Sequence, residues 1–200
     1  MNTPEELGKQ QAKSQRARAA IENATIDCLY ENGYGETTLA RVAAMATFSK
    51  GALQYHFPTK EDLMTATADT LLSRPFAHNN KPDSSPATVE EALARSWKKM
   101  TNTPAYRALL EILIAARTDK KLQERISDKL HRWNKAMDQQ AIENYQSVAG
   151  NDEDVVALLT MTRSLMRGLV IQDSYSEDPS ENDRHVARWV KLIAPQLRLR

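Results

Sequence analysis

The sequence has little of what cross-links, exports or anchors a protein. It carries one cysteine, Cys28, so no disulfide can form within a single copy. Its place on an apolar helical stripe predicts a small buried hydrophobe in a reducing compartment. Only six glycines occur in 200 residues, which disfavours a fold of hairpins and points to helices. The longest apolar run, Leu109 to Ala116, is interrupted by Glu111 and falls well short of the roughly 20 residues that cross a bilayer. Met1 to Gln11 is polar and lacks the apolar stretch of a secretory leader, so the expected location is cytoplasmic, with no membrane partner. Charge of one sign is also lacking. The net charge is +1, and residues 1–60 hold seven Lys/Arg against six Asp/Glu. Bulk charge therefore does not identify a nucleic-acid binder, and a local motif has to.

Reactive constellations are missing as well. The four histidines, His56, His78, His131 and His185, are scattered, not set at metal-ligand spacing. No nucleophile, base and orienting group stand at a recognisable spacing. The sequence predicts neither enzyme activity nor a metal or cofactor.

What is present is helical periodicity. Ala17, Ile21, Ala24, Cys28 and Leu29 recur at three- and four-residue steps, predicting a long first helix over Lys9–Asn32 that ends at Gly33. Thr38 stands at an N-cap position, with Leu39, Val42, Ala43 and Ala46 along the buried edge of a short helix. After Thr47-Phe48-Ser49, a second short helix runs from Lys50 to Phe57, and Pro58 stops it. Thr59 caps another helix directed toward Pro75, and His78 to Pro86 has linker composition. Further helices are predicted near 88–102, 104–117, 119–149, 152–174 and 181–194, with start signals at Thr88/Glu91, Thr103-Pro104 and Ser180/Asp183. No run alternates with period two long enough to predict a strand. The expected fold class is all-α: a three-helix N-terminal domain over residues 1–60 and a helical bundle over 61–200.

Residues 38–63, TLARVAAMATFSKGALQYHFPTKEDL, resemble the DNA-binding signature of the tetracycline-repressor (TetR) family. The resemblance is carried by Thr38, Val42-Ala43, Ala46, Phe48, Ser49-Lys50-Gly51, Leu53, Tyr55-His56-Phe57, Lys60-Glu61 and Leu63. With the preceding helix it covers about a quarter of the chain. Each helix of a helix-turn-helix needs one buried and one wet edge, and this segment has both. The expected DNA-facing set is Thr38, Ser49, Lys50, Gly51, Ala52, Gln54, Tyr55, His56 and Lys60. Two positions depart from the family pattern. Thr47 stands where glycine is common, so the turn must hold a side chain at some backbone cost. Gln54 stands where tyrosine is common, and a glutamine amide can pair with an adenine edge. His56 is either a phosphate contact or a helix cap. Lys9, Lys13, Arg16 and Arg18 are either the wet side of the first helix or an arm reaching neighbouring DNA.

In the C-terminal region Trp97, Met100, Tyr106, Leu110, Trp133, Met137 and Met166 are either core or the lining of a ligand cavity, and the resemblance implies a pocket here. Glu111, Arg163 and Arg167 are expected on solvated helix faces. The resemblance also implies that the last two long helices pair with a second copy as a four-helix bundle, for which Val155, Leu159, Gly168, Val186, Trp189, Val190 and Ile193 are the expected interface. The function implied is a homodimeric repressor that a small-molecule effector releases from a pseudo-palindromic double-stranded DNA operator. The alternative is a helical protein-interaction module that does not bind DNA.

Overall fold

The computed structural model describes residues 4–77 and 86–200. The expected linker, His78 to Pro86, lies outside the described residues except for Pro86. The chain divides into two compact units, one of residues up to Arg74 with Ala108–Asp128, the other of the stretch from Pro75 to Arg107 with Lys129–Arg200. The first unit thus takes in 61–74 and 108–128 beside the segment read from sequence as the N-terminal domain.

In the first unit, α1 (Pro4–Glu36) buries Ile21, Ala24, Thr25, Cys28 and Leu29, the stripe set by its three- and four-residue spacing. The helix breaks at Gly33, whose φ of 73° and ψ of 173° lie in a region open essentially to glycine alone. The Thr37 hydroxyl donates to the Gly33 carbonyl at 2.7 Å. Three helices follow: α2 (Leu39–Met45), α3 (Lys50–His56) and α4 (Lys60–Ala77). Val42 and Ala43 of α2, Leu53 and Phe57 around α3, and Leu63, Met64, Ala68 and Leu71 of α4 complete the core. α4 begins with a reciprocal cap. Thr59 Oγ1 accepts from the Asp62 amide at 3.1 Å, and Asp62 Oδ2 accepts from the Thr59 amide at 3.0 Å and its hydroxyl at 2.7 Å.

The second unit starts at α5 (Val89–Ser96), capped by Thr88, with Glu91 reaching back to the Ala87 amide. A π-helical turn over Trp97–Thr101 follows. α6 (Pro104–Ala116) and α7 (Lys120–Asn144) contribute residues to both units. α8 (Asp152–Gln172) and α9 (Glu181–Ile193) pack together, and α5 packs on α9. Two differences from the sequence reading stand out. The helix expected to run to 149 stops at Asn144, and β1 (Tyr145–Ser147) pairs antiparallel with β2 (Leu197–Leu199), Tyr145 opposite Leu199. Ser180 does not cap α9 with its side chain: its backbone is already helical, at φ −89° and ψ −7°, and its hydroxyl accepts from Arg184 while donating to Asp178 Oδ1.

The charged residues expected on solvated faces are tied down. Arg163 donates to Asp138 Oδ1 at 2.9 Å, and Arg167 Nε to the Tyr106 hydroxyl at 3.2 Å. Glu111 Oε2 accepts from the Tyr34 amide at 2.9 Å. All three are half-buried. The expected dimer surface needs a larger correction. Val155, Leu159, Val186, Val190 and Ile193 are buried within a single chain, so they pack its own core and present nothing to a partner. Trp189 is half-buried and donates its indole N–H to Thr162. Of the seven, Gly168 alone is exposed.

Candidate nucleic-acid interface

Two short helices and the turn between them form the candidate interface. Thr38 accepts from the Arg41 amide at 3.2 Å and Ser49 from the Ala52 amide at 3.1 Å, so each hydroxyl fixes the start of its helix. The hydroxyl hydrogen remains available for an outside acceptor. Between the helices the Phe48 amide donates to the Ala43 carbonyl at 2.9 Å. Thr47 adopts φ 58°, the one left-handed non-glycine residue among those described. The fold therefore demands at Thr47 the conformation that glycine provides without steric cost.

α3 divides as a reading helix must. Leu53 is buried on one side, while Lys50, Gly51, Ala52 and Gln54 are exposed and Tyr55 is 80% exposed. Gly51 has ordinary helical backbone, and a Cβ built on it would meet nothing in the chain. Nothing among the described residues requires glycine there.

The end of α3 is anchored by a residue that sequence reading grouped with solvated cations. Arg18 of α1 donates to the His56 carbonyl at 2.9 Å, and its guanidinium lies 4.3 Å from the Phe57 ring centroid. His56 is half-buried, with its ring edge-on to Tyr55 at 5.2 Å. Lys60 departs from its expected place in the DNA-facing set. Its Nζ donates to the Tyr34 carbonyl at 2.6 Å and lies 4.1 Å from the Tyr34 ring centroid. Burial pulls its pKa below the ordinary lysine value, against the opposing pull of Glu61.

The Tyr34 peptide is thereby held from both sides, its N–H by Glu111 of α6 and its carbonyl by Lys60 of α4. Asp62 of α4 also pairs with Arg125 of α7 at 2.7 Å. These links join residues 26 to 77 positions apart, and the one visible sign of them was Glu111, a charge set within Leu109-Leu110 and Ile112-Leu113.

The residues expected to line a ligand pocket are divided between the two units. Leu110 belongs to the first unit and the other six to the second. Trp97 and Met166 are buried, Tyr106, Trp133 and Met137 half-buried, and Met100 exposed. Trp97 donates its indole N–H to Asp183 at 2.6 Å. The Trp133 indole nitrogen is buried and has no acceptor among the described residues. An open groove of about 450 Å³ lies elsewhere in the second unit, between Ser147, Val148, Asp154, Leu158, Met161 and Gln196. Among the described residues, no cluster of His, Cys, Asp or Glu suits a metal ion, and no helix is long and apolar enough to cross a membrane.

Known proteins match this segment and, in some cases, nearly the whole chain. The family of bacterial regulatory proteins designated tetR matches residues 21–67. A helix-turn-helix transcriptional regulator of Mycobacterium tuberculosis, itself uncharacterised, is 29% identical over 94% of this chain and 98% of its own length. The Pseudomonas putida regulator TtgR is 37% identical over 59 residues, 30% of this chain and 28% of its own. Among solved structures, a transcriptional regulator from Saccharomonospora viridis in complex with choline superposes with a TM-score of 0.67 at 18% identity, covering 93% of this chain and 99% of that one.

Proposed function

Since the chain belongs to the tetR family of bacterial regulatory proteins, we propose that it is a homodimeric repressor released from a pseudo-palindromic operator by a small molecule. On this reading residues 1–60 read DNA, and residues 61–200 bind the effector and pair the two copies. The observation that carries it is the division of α3, with Leu53 sealed in the core and Ser49, Lys50, Gly51, Ala52, Gln54 and Tyr55 turned outward. A helix lying in a major groove needs that division. Gln54 reads a base edge. Thr38, Lys50, Tyr55 and His56 hold phosphates through hydroxyl and cationic donors, with Gly51 and Ala52 admitting the backbone closely.

Pairing of two copies is supported by α8 and α9. Their inward residues fill the core, yet Met161 (50% exposed), Leu165, Ile171 (48%) and, on α9, Leu192 (56%) remain at the surface. Met161, Leu165, Gly168 and Ile171 follow one another at three- and four-residue steps, the spacing of one helix face. Gly168 has open space above it, which suits the close approach of a partner helix.

Effector binding is supported by the choline complex of the Saccharomonospora regulator and by the indole N–H of Trp133, a buried donor with no acceptor among the described residues that an acceptor on a ligand would satisfy. Release requires the effector to favour the conformation that does not bind DNA. Lys60 and Asp62 place the start of α4 against Tyr34 and Arg125, so a shift of α4 would disturb the reading helices.

The test is to titrate the purified chain with promoter-like duplex at stepped salt concentrations. Steep loss of affinity with added salt is expected, as phosphate contacts require. A chain that ignores duplex at low salt would contradict the reading and leave a protein-interaction module in its place.

A further inference from the structure

Resting on the reading that two copies pair, we propose that Tyr175 of each copy anchors the dimer by seating in the groove beside Ala157 and Met161 of the other. Two features of the second unit are unexplained by its own packing. The first is Tyr175, which is 86% exposed, more than any other large hydrophobic residue among those described. The turn that carries it, Asp173–Tyr175, is nonetheless firmly held. Asp173 accepts from Arg107 at 2.6 Å and from the buried Asn182 at 2.8 Å. An aromatic ring presented on a fixed turn loses little freedom on binding.

The second feature is the open groove of about 450 Å³, whose lining includes Val148, Asp154, Ala157, Leu158, Met161 and Gln196. It has room for an aromatic ring, apolar walls for the ring faces, and Asp154 and Gln196 as acceptors for a phenolic hydroxyl. Within one chain ring and groove cannot meet. Ala157 and Tyr175 stand eighteen positions apart on α8 and its closing turn, about 27 Å along the axis.

A second copy brings them together. Ala157, Met161, Ser164, Gly168, Ile171 and Tyr175 follow one another at alternating steps of four and three, and all six are exposed. Such spacing keeps one seam turned toward a partner helix, and none of the six is charged. A twofold axis perpendicular to α8 sets the helix antiparallel to its own copy, and every contact then occurs twice. With the axis level with Met166 the seam is its own complement: Ser164 faces Gly168 of the second copy, Met161 faces Ile171, and Ala157 faces Tyr175. This register alone maps all six positions onto one another. Small residues meet at the centre, where the helices approach most closely, and the largest side chain of the seam meets the alanine that borders the groove.

The experiment measures the dimer dissociation constant by analytical ultracentrifugation over a dilution series, with helical content followed by circular dichroism. Tyr175→Ala is expected to raise that constant about thirtyfold or more, the loss that goes with a hot-spot aromatic. Its helical content is expected to stay unchanged, because the ring is exposed in its own chain. Ala157→Tyr, which fills the groove, is expected to weaken pairing about tenfold or more. Ala157→Tyr/Tyr175→Ala exchanges large for small across the contact and is expected to pair at least about tenfold more tightly than Tyr175→Ala alone. An unchanged dissociation constant in Tyr175→Ala would overturn the anchor. Weakening without recovery in the exchanged pair would overturn the register that sets Tyr175 against Ala157. A wild type that stays monomeric at high concentration would instead overturn the proposed pairing beneath it.

Discussion

At the residue scale, what a position does is clearest where the fold itself makes no demand on it. Gly51 is such a position: its backbone is helical and the space above it is open. Gly51→Ala is expected to leave stability unchanged or raise it by up to about 1 kcal/mol, the helix-propensity gain, while weakening duplex binding. Urea denaturation and a duplex titration on the same sample check this, and undiminished DNA affinity would remove Gly51 from the interface. Gly33 and Thr47 show the converse, for the backbone at each is dictated by the fold. Both were legible in the sequence, Gly33 as a helix stop and Thr47 as a residue in a place suited to glycine. The partners of Arg18, Tyr34 and Glu111 were not. Periodicity reports which way a side chain points along its own helix, and says nothing of which distant carbonyl or amide it meets.

At the element scale, the helices from α1 to α4 were readable because each has its punctuation beside it: Gly33, Thr38, Ser49, Pro58 and Thr59. The capping box that opens α4 has a measurable consequence. Asp62 is held below the ordinary carboxylate pKa first by the hydrogen bond from the Thr59 hydroxyl, with lesser help from Arg125. A carboxyl depressed in the folded state contributes stability that is complete above its unfolded pKa of about 3.9 and is lost as pH falls through the folded value. Asp62→Asn is therefore expected to be less stable than wild type at neutral pH, with the gap closing below about pH 4. Denaturation at stepped pH checks this, and a gap that persists undiminished to the lowest pH would show that the charge is not what stabilises this turn. Less readable were β1 and β2. Three residues are too few to display alternation, and each strand exists because of a partner some fifty positions away. The faces of α8 and α9 were misassigned for a related reason. Both helices carry apolar residues over a wide arc, and which edge is sealed by the chain itself is a property of the packed bundle.

At the scale of the whole molecule, the proposed repressor combines a reading helix with an exposed apolar face at Met161, Leu165, Ile171 and Leu192 through which two copies would pair. Identical reading heads related by a twofold axis must prefer DNA with the same symmetry. Selection of bound duplexes from a random-sequence pool, followed by sequencing, tests that claim most directly. Enrichment of an inverted repeat is expected, with half-sites about one helical turn apart, centre to centre, occupied by two copies of the chain. Enrichment of a single unrepeated site bound by one copy, or no enrichment at all, would contradict it.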